Sequence, residues 1–387
     1  RWLSKNIERH ILGNHLSSNA KALLFVGVCF EGREAQCWFE TGLNIFKKQV
    51  KEQILSDGGH FELSTMYHAL FLEDLLDVIN LLEHHYGGNK RCIPDNLKLT
   101  ATKMFEWLDG MSHPDNKISF FNDAAFGIAA ELPDLKLYAK RLGISLPVTK
   151  KLDDDISFQH FSETGYICCS SSVAKLLIDV GSIGPSYLPA HGHADVLSFE
   201  LSLFGYRFFV NCGTSKYGEG KERLSERGTS SHNTVLVNGE NSSEVWSGFR
   251  VAKRAEPFQL SIGKENGNFA IGCAHNGYHR LTGSPTHHRI WKVKPESIII
   301  TDTLFGSFKF AKASFHLHPK IEVSQETEGC WLLAHSDIRK SVVIRVLQGV
   351  GEVHASSFSP EFGIKQSSRC LSVHFDRCGE VAVEVSW

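Results

Sequence analysis

Long apolar runs, paired-cysteine motifs and a strong net charge are all absent from this sequence. The longest apolar stretch, from Ala20 to Phe30, is shorter than the roughly 20 residues that a membrane-spanning helix needs. With 41 basic and 43 acidic residues the net charge is −2, which gives no electrostatic indication of nucleic-acid binding. Internal repeats and low-complexity segments are also lacking. These absences exclude a membrane-spanning helix, a disordered tail and a fibrous repeat.

The ten cysteines follow no regular spacing, and no two of them form a CxxC pair. Cys168 and Cys169 are adjacent, and Cys29 lies in an apolar helical stretch. Unpatterned cysteines in a chain of 387 residues are typical of buried free thiols, not of a disulfide framework or a zinc ribbon. We therefore expect the cysteines to be buried and unpaired.

The first 145 residues or so have the hydrophobic periodicity of helices. Apolar residues recur there at three- and four-residue spacing, and glycines separate the periodic segments. This pattern predicts antiparallel helices joined by short loops. The predicted helices are Asn14–Phe30, Arg33–Leu55, Thr65–Tyr86 and Leu97–Leu108.

The rest of the chain is rich in short alternating or β-branched runs separated by turn residues, which predicts antiparallel sheets. Helices followed by strands predict an α+β chain of two domains. The expected boundaries are a helical domain over 1–145, a connector over 146–158 that contains an acidic run, and a β-sandwich domain over 159–387. The predicted strands include Leu176–Val180, Leu197–Phe204, Arg207–Asn211, Thr234–Asn238, Ser297–Thr301, Ser341–Val346 and Val381–Ser386.

Two histidines flank a glycine just before one predicted strand. His191 and His193 are two residues apart, so in an extended segment their side chains face the same side, and Gly192 permits a close backbone approach. A pair of surface or packed histidines is the alternative. His193, Asn211 and His232 together offer two imidazoles and an amide oxygen, which suits zinc, although an amide is a weaker ligand than a carboxylate.

A second polar segment, from Asp57 to His68, lies in the helical part. A Gly-Gly turn precedes a helix that starts near Ser64, so Tyr67 falls within the first turn. Unpaired backbone N–H groups and the helix dipole favour a developing phenolate there. A tyrosine at the rim of an amphipathic helix is the alternative, and Asn14–His15 has the position of a helix cap.

Taken in this order, the polar segments resemble the heparinase II/III-like family of polysaccharide lyases. That resemblance implies an incomplete α/α toroid followed by antiparallel β sheets, with the active site between them. About three helical hairpins are few for such a toroid, so we expect further helices N-terminal to this chain. The matching segments are Gly13–His15, Asp57–His68, His191–Asp195, Asn211–Thr214 with Tyr217, His232–Thr234 and Ser242–Arg254.

The resemblance also implies roles for individual residues. Tyr67 matches the catalytic tyrosine and His191 the catalytic histidine. Asn14 and His15 match the pair that neutralises the substrate carboxylate, and Tyr217 lies where some members have a further active-site tyrosine.

His193, Asn211 and His232 match the metal site of the family, with Asn211 in place of an aspartate. The implied cofactor is a divalent metal, zinc by ligand type, that supports the loop carrying His191. The lost negative charge lowers the expected metal affinity.

The chemistry implied is β-elimination from a uronic-acid polymer. Neutralising the uronate carboxylate acidifies its C5 proton, a base removes that proton, and an acid protonates the departing O4. Tyr67 could do both, or share the roles with His191. Since an ordinary tyrosine pKa is about 10, we expect the site to depress the pKa of Tyr67.

The expected partner is an acidic polysaccharide, a glycosaminoglycan in the first instance, with no nucleic acid and no membrane insertion. A homodimer is possible, and the resemblance favours an exported bacterial protein, with the cytoplasm left open. The predicted substrate-binding residues are His60, Glu62, His68, Arg227, Trp246 and Arg250.

Three alternatives stay open at this stage. The first is a lyase of the same kind whose polymer is alginate or a bacterial exopolysaccharide. The second is a non-catalytic carbohydrate-binding accessory protein of the same fold. The third is a hydrolase, which needs two carboxylates and has Glu62, Glu73 and Asp74 as candidates.

Overall fold

The N-terminal third of the protein is helical, as the periodicity predicts. The computed structural model describes residues 1–85, 95–147, 156–376 and 378–387. Tyr86 at the end of a predicted helix, and most of the predicted connector, lie outside these residues. The helices are α1 (Trp2–Lys5), α2 (Gly13–Cys29), α3 (Arg33–Gln53), α4 (Thr65–His85), α5 (Asp95–Met111) and α6 (Leu132–Arg141).

Close packing between α2 and α3 depends on a glycine. A Cβ added to Gly42 of α3 would lie 2.7 Å from the carbonyl oxygen of Ala20 in α2, so a larger residue would force the helices apart. The next helix, α4, is buried on most of its surface and contacts α2, α5 and α6. Its N-terminal turn is therefore held in a fixed position by its neighbours.

A five-stranded antiparallel sheet follows the helices. Its strands are paired in sequence order, and every residue of β2 and β4 is buried, so the sheet is covered on both faces. The strands are β1 (Ser157–Phe161), β2 (Tyr166–Ser170), β3 (Ala174–Asp179), β4 (Phe199–Leu203) and β5 (Tyr206–Phe209).

Two further antiparallel sheets and a separate two-stranded sheet follow, and one extended apolar core joins the two further sheets to the first sheet. One has eight strands in the order 14-15-16-19-12-11-10-9, and the other has four in the order 17-18-13-6. The two-stranded sheet pairs β7 (Val245–Trp246) with β8 (Arg250–Val251). The strands of the other two sheets are β6 (Val235–Val237), β9 (Pro257–Glu265), β10 (Asn268–His275), β11 (Thr286–Lys294), β12 (Ser297–Phe305), β13 (Ala311–His316), β14 (Ile321–Thr327), β15 (Cys330–His335), β16 (Val342–Gln348), β17 (Val350–Phe358), β18 (Gln366–His374) and β19 (Glu380–Ser386).

Apolar side chains from both parts of the chain meet at a junction between them. Trp107 of α5 packs with Tyr166 of β2, and Met66 of α4 belongs to a cluster with Phe358 of β17. The irregular segment 112–131 runs through this junction. Burying these aromatic side chains fixes the helical and β parts against each other, which positions residues from both at one place.

Two sequence predictions need correction. The strand expected from Leu197 begins at Phe199, because Leu197 has a φ of 64°, which breaks the extended conformation. The described cysteines are all free, as expected, but Cys29, Cys37 and Cys378 are exposed. Cys29 and Cys37 lie on helices and Cys378 lies in the turn before β19, and spacing alone did not reveal that these three are exposed.

Candidate active site at the junction of helices and sheets

Tyr67 lies in the first turn of α4, as the sequence predicts. The backbone N–H of Tyr67 donates to Ser64 Oγ at 3.2 Å, which caps the helix, and Ser64 in turn donates to the carbonyl oxygen of Asp123 at 2.5 Å. The phenol is 8% exposed, and its hydroxyl lies 3.0 Å from the hydroxyl of Tyr217. The helix start thus fixes the backbone at Tyr67, and the side chain is almost entirely enclosed.

His191 comes to this tyrosine from the loop before β4. The centroids of the two rings lie 4.0 Å apart. Gly192 permits the required backbone path, because a Cβ there would lie 2.5 Å from the carbonyl oxygen of Ile183. The predicted pair of Tyr67 and His191 is therefore brought into contact from two distant parts of the sequence.

Asp123 is the residue that sequence reasoning missed. Its carboxylate accepts from His191 Nδ1 and His193 Nε2, each at 2.8 Å, and it is fully buried. The two histidines therefore face one group, as their spacing predicts. The available signal was a polar pair, Asn122–Asp123, between Phe120–Phe121 and Ala124–Ala125. No periodic pattern marks such an irregular segment.

Asp123 is ionised because cations and donors surround it. Although burial opposes the charge, hydrogen bonds from both histidines and the Arg223 guanidinium hold the pKa of Asp123 well below its usual range. Arg223, from α7 (Lys221–Glu226), donates Nη2–H to Asp123 Oδ2 at 2.7 Å. Its guanidinium also lies 5.0 Å from the ring centroid of Tyr217.

Asn122 connects the segment 112–131 to the turn before α4 and to the loop that carries the histidines. Its side chain donates to the carbonyl oxygen of Leu63 at 3.0 Å and accepts from the backbone N–H of His193 at 2.9 Å. Leu63, just before α4, has a φ of 59°. One amide side chain therefore couples the turn that starts α4 to the loop that carries the histidines.

The predicted metal ligands are only partly together. His193 Nδ1 and His232 Nε2 lie 3.2 Å apart, close to the separation of about 3.3 Å for two nitrogens on one tetrahedral zinc. Asn211 instead accepts from the backbone N–H of Asn233 at 3.2 Å, and its Nδ2 is buried without a partner among the described residues. No three His, Cys, Asp or Glu side chains in the described part of the chain form a metal site. A metal here stays a prediction.

The expected depression of the Tyr67 pKa is wrong for this structure. Burial of the phenol raises the pKa of Tyr67, and the charges of Asp123 and Glu62 act in the same direction. Burial also raises the pKa of its partner Tyr217. The hydrogen bond with Tyr217 and the charge of Arg223 act in the opposite direction but do not overcome these effects, so Tyr67 is a phenol in the resting site.

The predicted carboxylate-binding pair lies at the start of α2. Asn14 is half-buried, whereas His15 is exposed and its Nδ1 lies 3.5 Å from a carboxylate oxygen of Glu8. Gly13 connects this turn to the site, because a Cβ there would lie 2.7 Å from Glu62 Oε1. Glu62 in turn lies 3.9 Å from His191 Nε2. The turn that carries Asn14 is therefore next to the cluster of Tyr67, His191 and Asp123.

Three predicted substrate-binding residues are buried with protein partners. His60 Nε2 lies 2.9 Å from Gln53 Oε1, and His68 Nε2 lies 3.0 Å from the carbonyl oxygen of Met104. Arg227 donates through Nη2 to the carbonyl oxygen of Gly192 at 2.9 Å. These contacts give the three residues a supporting position, and the structure offers no support for their predicted contact with substrate.

Trp246 and Arg250 are both exposed, and they face each other across the β7–β8 hairpin. Phe249, between these strands, lies 6.0 Å from the ring centroid of His191. The turn of the hairpin therefore lies near His191, and the hairpin presents an indole and a guanidinium to solvent. Of the carboxylates considered for a hydrolase, Glu62 lies 3.9 Å from His191 Nε2, whereas Asp74 forms an ion pair with Lys21 at 2.7 Å.

Comparison with known families gives matches over nearly the whole chain. A family model described as Heparinase II/III N-terminus matches residues 1–138, and one described as Heparinase II/III-like, C-terminal, matches residues 154–387. A heparin-sulfate lyase of Bacteroides stercoris is 28% identical over 336 residues, which is 82% of this chain and 47% of that protein. The chain thus spans about half the length of this relative.

Solved structures share the fold. A heparinase III structure has a TM-score of 0.80 at 20% identity, covering 97% of this chain and 61% of that one. A heparan sulfate lyase from Pedobacter heparinus has a TM-score of 0.74 at 17% identity, covering 100% of this chain and 61% of that one. The predicted arrangement of helices followed by antiparallel sheets is confirmed.

Proposed function

Because this chain belongs to the heparinase II/III-like family, we propose that it is a polysaccharide lyase that cleaves a uronic-acid polymer by β-elimination. The observation that carries the proposal is the contact between Tyr67 and His191, with ionised Asp123 bonded to the far side of the imidazole. The imidazole, whose tautomer is fixed, can act as a base and the adjacent phenol as an acid on the same substrate.

In the proposed reaction His191 removes the C5 proton of the uronate with Nε2, the nitrogen that does not contact Asp123. The electron pair of the C5–H bond forms the C4=C5 double bond while the C4–O4 bond breaks. Tyr67 donates its proton to the departing O4, so no water is consumed. The raised pKa of Tyr67 favours this acid role, and Asp123 stabilises the imidazolium that forms.

The substrate carboxylate must be neutralised as charge develops on it. We assign this task to the start of α2, where Asn14 is available and His15 is exposed nearby. Trp246 and Arg250 on the hairpin are the proposed contacts for neighbouring sugars, through stacking and through a guanidinium that suits sulfate or carboxylate. Tyr217 is proposed to orient the Tyr67 hydroxyl through their 3.0 Å contact.

A glycosaminoglycan is the proposed substrate class, because curated relatives of this chain are heparin-sulfate lyases. A structural divalent metal held by His193 and His232 is retained as a proposal, and no step of the reaction depends on it. It would fix the loop that carries His191. Release of stoichiometric zinc by acid from the purified protein, and its loss in His232→Ala, would test this point.

The test of the proposed function is incubation with heparan sulfate, hyaluronan, chondroitin sulfate and alginate, read by the ultraviolet absorbance of an unsaturated uronate. We expect absorbance to rise with a glycosaminoglycan, and Tyr67→Phe to lower the rate by about 10²-fold or more. Tyr206→Phe, a half-buried tyrosine packed against His335, is the matched control and should leave the rate unchanged. New reducing ends without absorbance would contradict the proposal.

A further inference from the structure

Glu62 is a buried carboxyl group with no hydrogen-bond partner for its side chain. It is 3% exposed, and neither Oε1 nor Oε2 has a partner among the described residues. Leaving a buried carboxylate unpaired is costly, so such groups are almost always bonded, neutral or occupied by a ligand. A purely structural role therefore does not explain a buried glutamate at this position.

The position of the group points into the proposed catalytic site. Glu62 Oε2 lies 3.9 Å from His191 Nε2, the nitrogen assigned to proton removal, which is too long for a hydrogen bond. Glu62 Oε1 lies against Gly13, whose missing side chain makes room for it at the start of α2. The carboxyl group therefore lies between the proposed base and the turn that carries Asn14.

The groups around Glu62 disfavour its charge. Burial is the main cause that raises its pKa to about 7, and the ionised Asp123 adds to the effect, whereas His191 opposes it. The hydroxyls of Tyr67 and Tyr187 lie near enough for the charge of Glu62 to raise their pKa values, and His60 Nδ1 accepts only the backbone N–H of Glu62. None of these groups neutralises an ionised Glu62 through a direct contact.

We propose that Glu62 is a substrate-contacting residue whose carboxyl group is protonated in the free enzyme and donates a hydrogen bond to the carboxylate of the bound uronate. This inference rests on the proposed function and adds to it a neutral acid that contacts the substrate carboxylate. A carboxylic acid bonded to a carboxylate forms a short, strong hydrogen bond, and it offsets the negative charge that develops during proton removal.

The proposal has a definite consequence for pH dependence. When Glu62 loses its proton it repels the substrate carboxylate and has no donor left. The value of kcat/KM should therefore fall by about tenfold per pH unit above the pKa of Glu62. Glu62→Gln keeps an N–H donor of similar shape that does not titrate, so its kcat/KM should lose this alkaline fall, with a reduction at pH 6 that stays below about 100-fold.

The experiment measures kcat/KM from pH 5.5 to 9 on the glycosaminoglycan that gives the highest rate. Glu73→Gln, a half-buried glutamate on α4, is the matched control and should keep the alkaline fall. The proposal is overturned if Glu62→Gln keeps the same fall, or if it loses about 100-fold at pH 6 while remaining folded, since an ionised carboxylate would then be required.

An infrared difference spectrum, unmodified protein minus Glu62→Gln, tests the proton without any substrate. We expect a carboxylic-acid C=O band at pH 5.5 that disappears by pH 8.5. Its absence at pH 5.5 overturns the proposal. If the carboxylic-acid band is present but the protein is inactive on every polymer, the proposed function is contradicted. The protonation of Glu62 would still be established by the band.

Discussion

At the scale of single residues, the site depends on one buried carboxylate. Asp123 accepts from His191, from His193 and from Arg223, so it sets the tautomer of the proposed base and carries the compensating charge. Sequence reasoning found His191 and Tyr67 but not Asp123, because a single aspartate in an irregular loop has no periodicity or spacing. Its importance depends on long-range contacts that only the fold creates.

Replacing Asp123 by asparagine removes the charge but keeps the shape. We expect kcat to fall by about 10²-fold or more, because the imidazolium of His191 loses its ionised partner. The unpaired Arg223 should also lower the free energy of unfolding by about 3–5 kcal/mol. Lyase kinetics and urea unfolding check both effects. Asp115→Asn, which breaks an ion pair with Arg207 of 2.8 Å, is the control that should spare kcat.

At the scale of elements, the loop before β4 is held by contacts rather than by regular structure. Arg227 donates to the carbonyl oxygen of Gly192, and Asn122 accepts from the backbone N–H of His193. Helices α2 to α5 and the seven strands predicted by residue range follow from periodicity, and their observed bounds agree with the prediction within a few residues. The short helix α1, the helices α6 and α7 and the remaining strands are not predicted individually. The loop follows from no local rule, since its path is set by buried side chains from α7 and from the segment 112–131.

Gly192→Ala tests this account of the loop. The added Cβ would lie 2.5 Å from the carbonyl oxygen of Ile183, so the backbone must shift and carry His191 with it. We expect kcat to fall by about tenfold or more, because small misplacements of a reacting group are costly. Gly263→Ala, where a Cβ would meet only the carbonyl oxygen of Ala270 at 3.9 Å, should have no effect. Equal rates for the two variants would contradict the account.

At the scale of the whole molecule, a set of buried histidines is neutral in the folded protein. Burial lowers the pKa values of His193 and His316 to about 4, and burial likewise lowers those of His68, His113, His232 and His275. These histidines bind protons in the unfolded chain below about pH 6.5 but stay neutral in the folded one. Composition shows the 20 histidines, yet only the structure shows which of them are buried.

The expected consequence is a loss of stability in mild acid. As the pH falls from 7.5 to 5.5, each such histidine should lower the free energy of unfolding by about 1.4 kcal/mol. Raised carboxyl pKa values, about 7 for Glu62, Asp195 and Glu200, oppose this trend but are fewer. Urea unfolding at pH 7.5 and at pH 5.5 measures whether the free energy of unfolding falls as predicted. His316→Gln should reduce the pH dependence, and exposed His84→Gln should not.

Bond cleavage in this protein is proposed to be an elimination driven by Tyr67 and His191. The most direct measurement is mass spectrometry of heparan sulfate fragments produced in ¹⁸O-labelled water. The account predicts non-reducing ends that are one water lighter than hydrolysis products, with no ¹⁸O incorporated at cleavage and with fragments lost in Tyr67→Phe. Fragments of full mass that carry ¹⁸O would show hydrolysis and contradict the account.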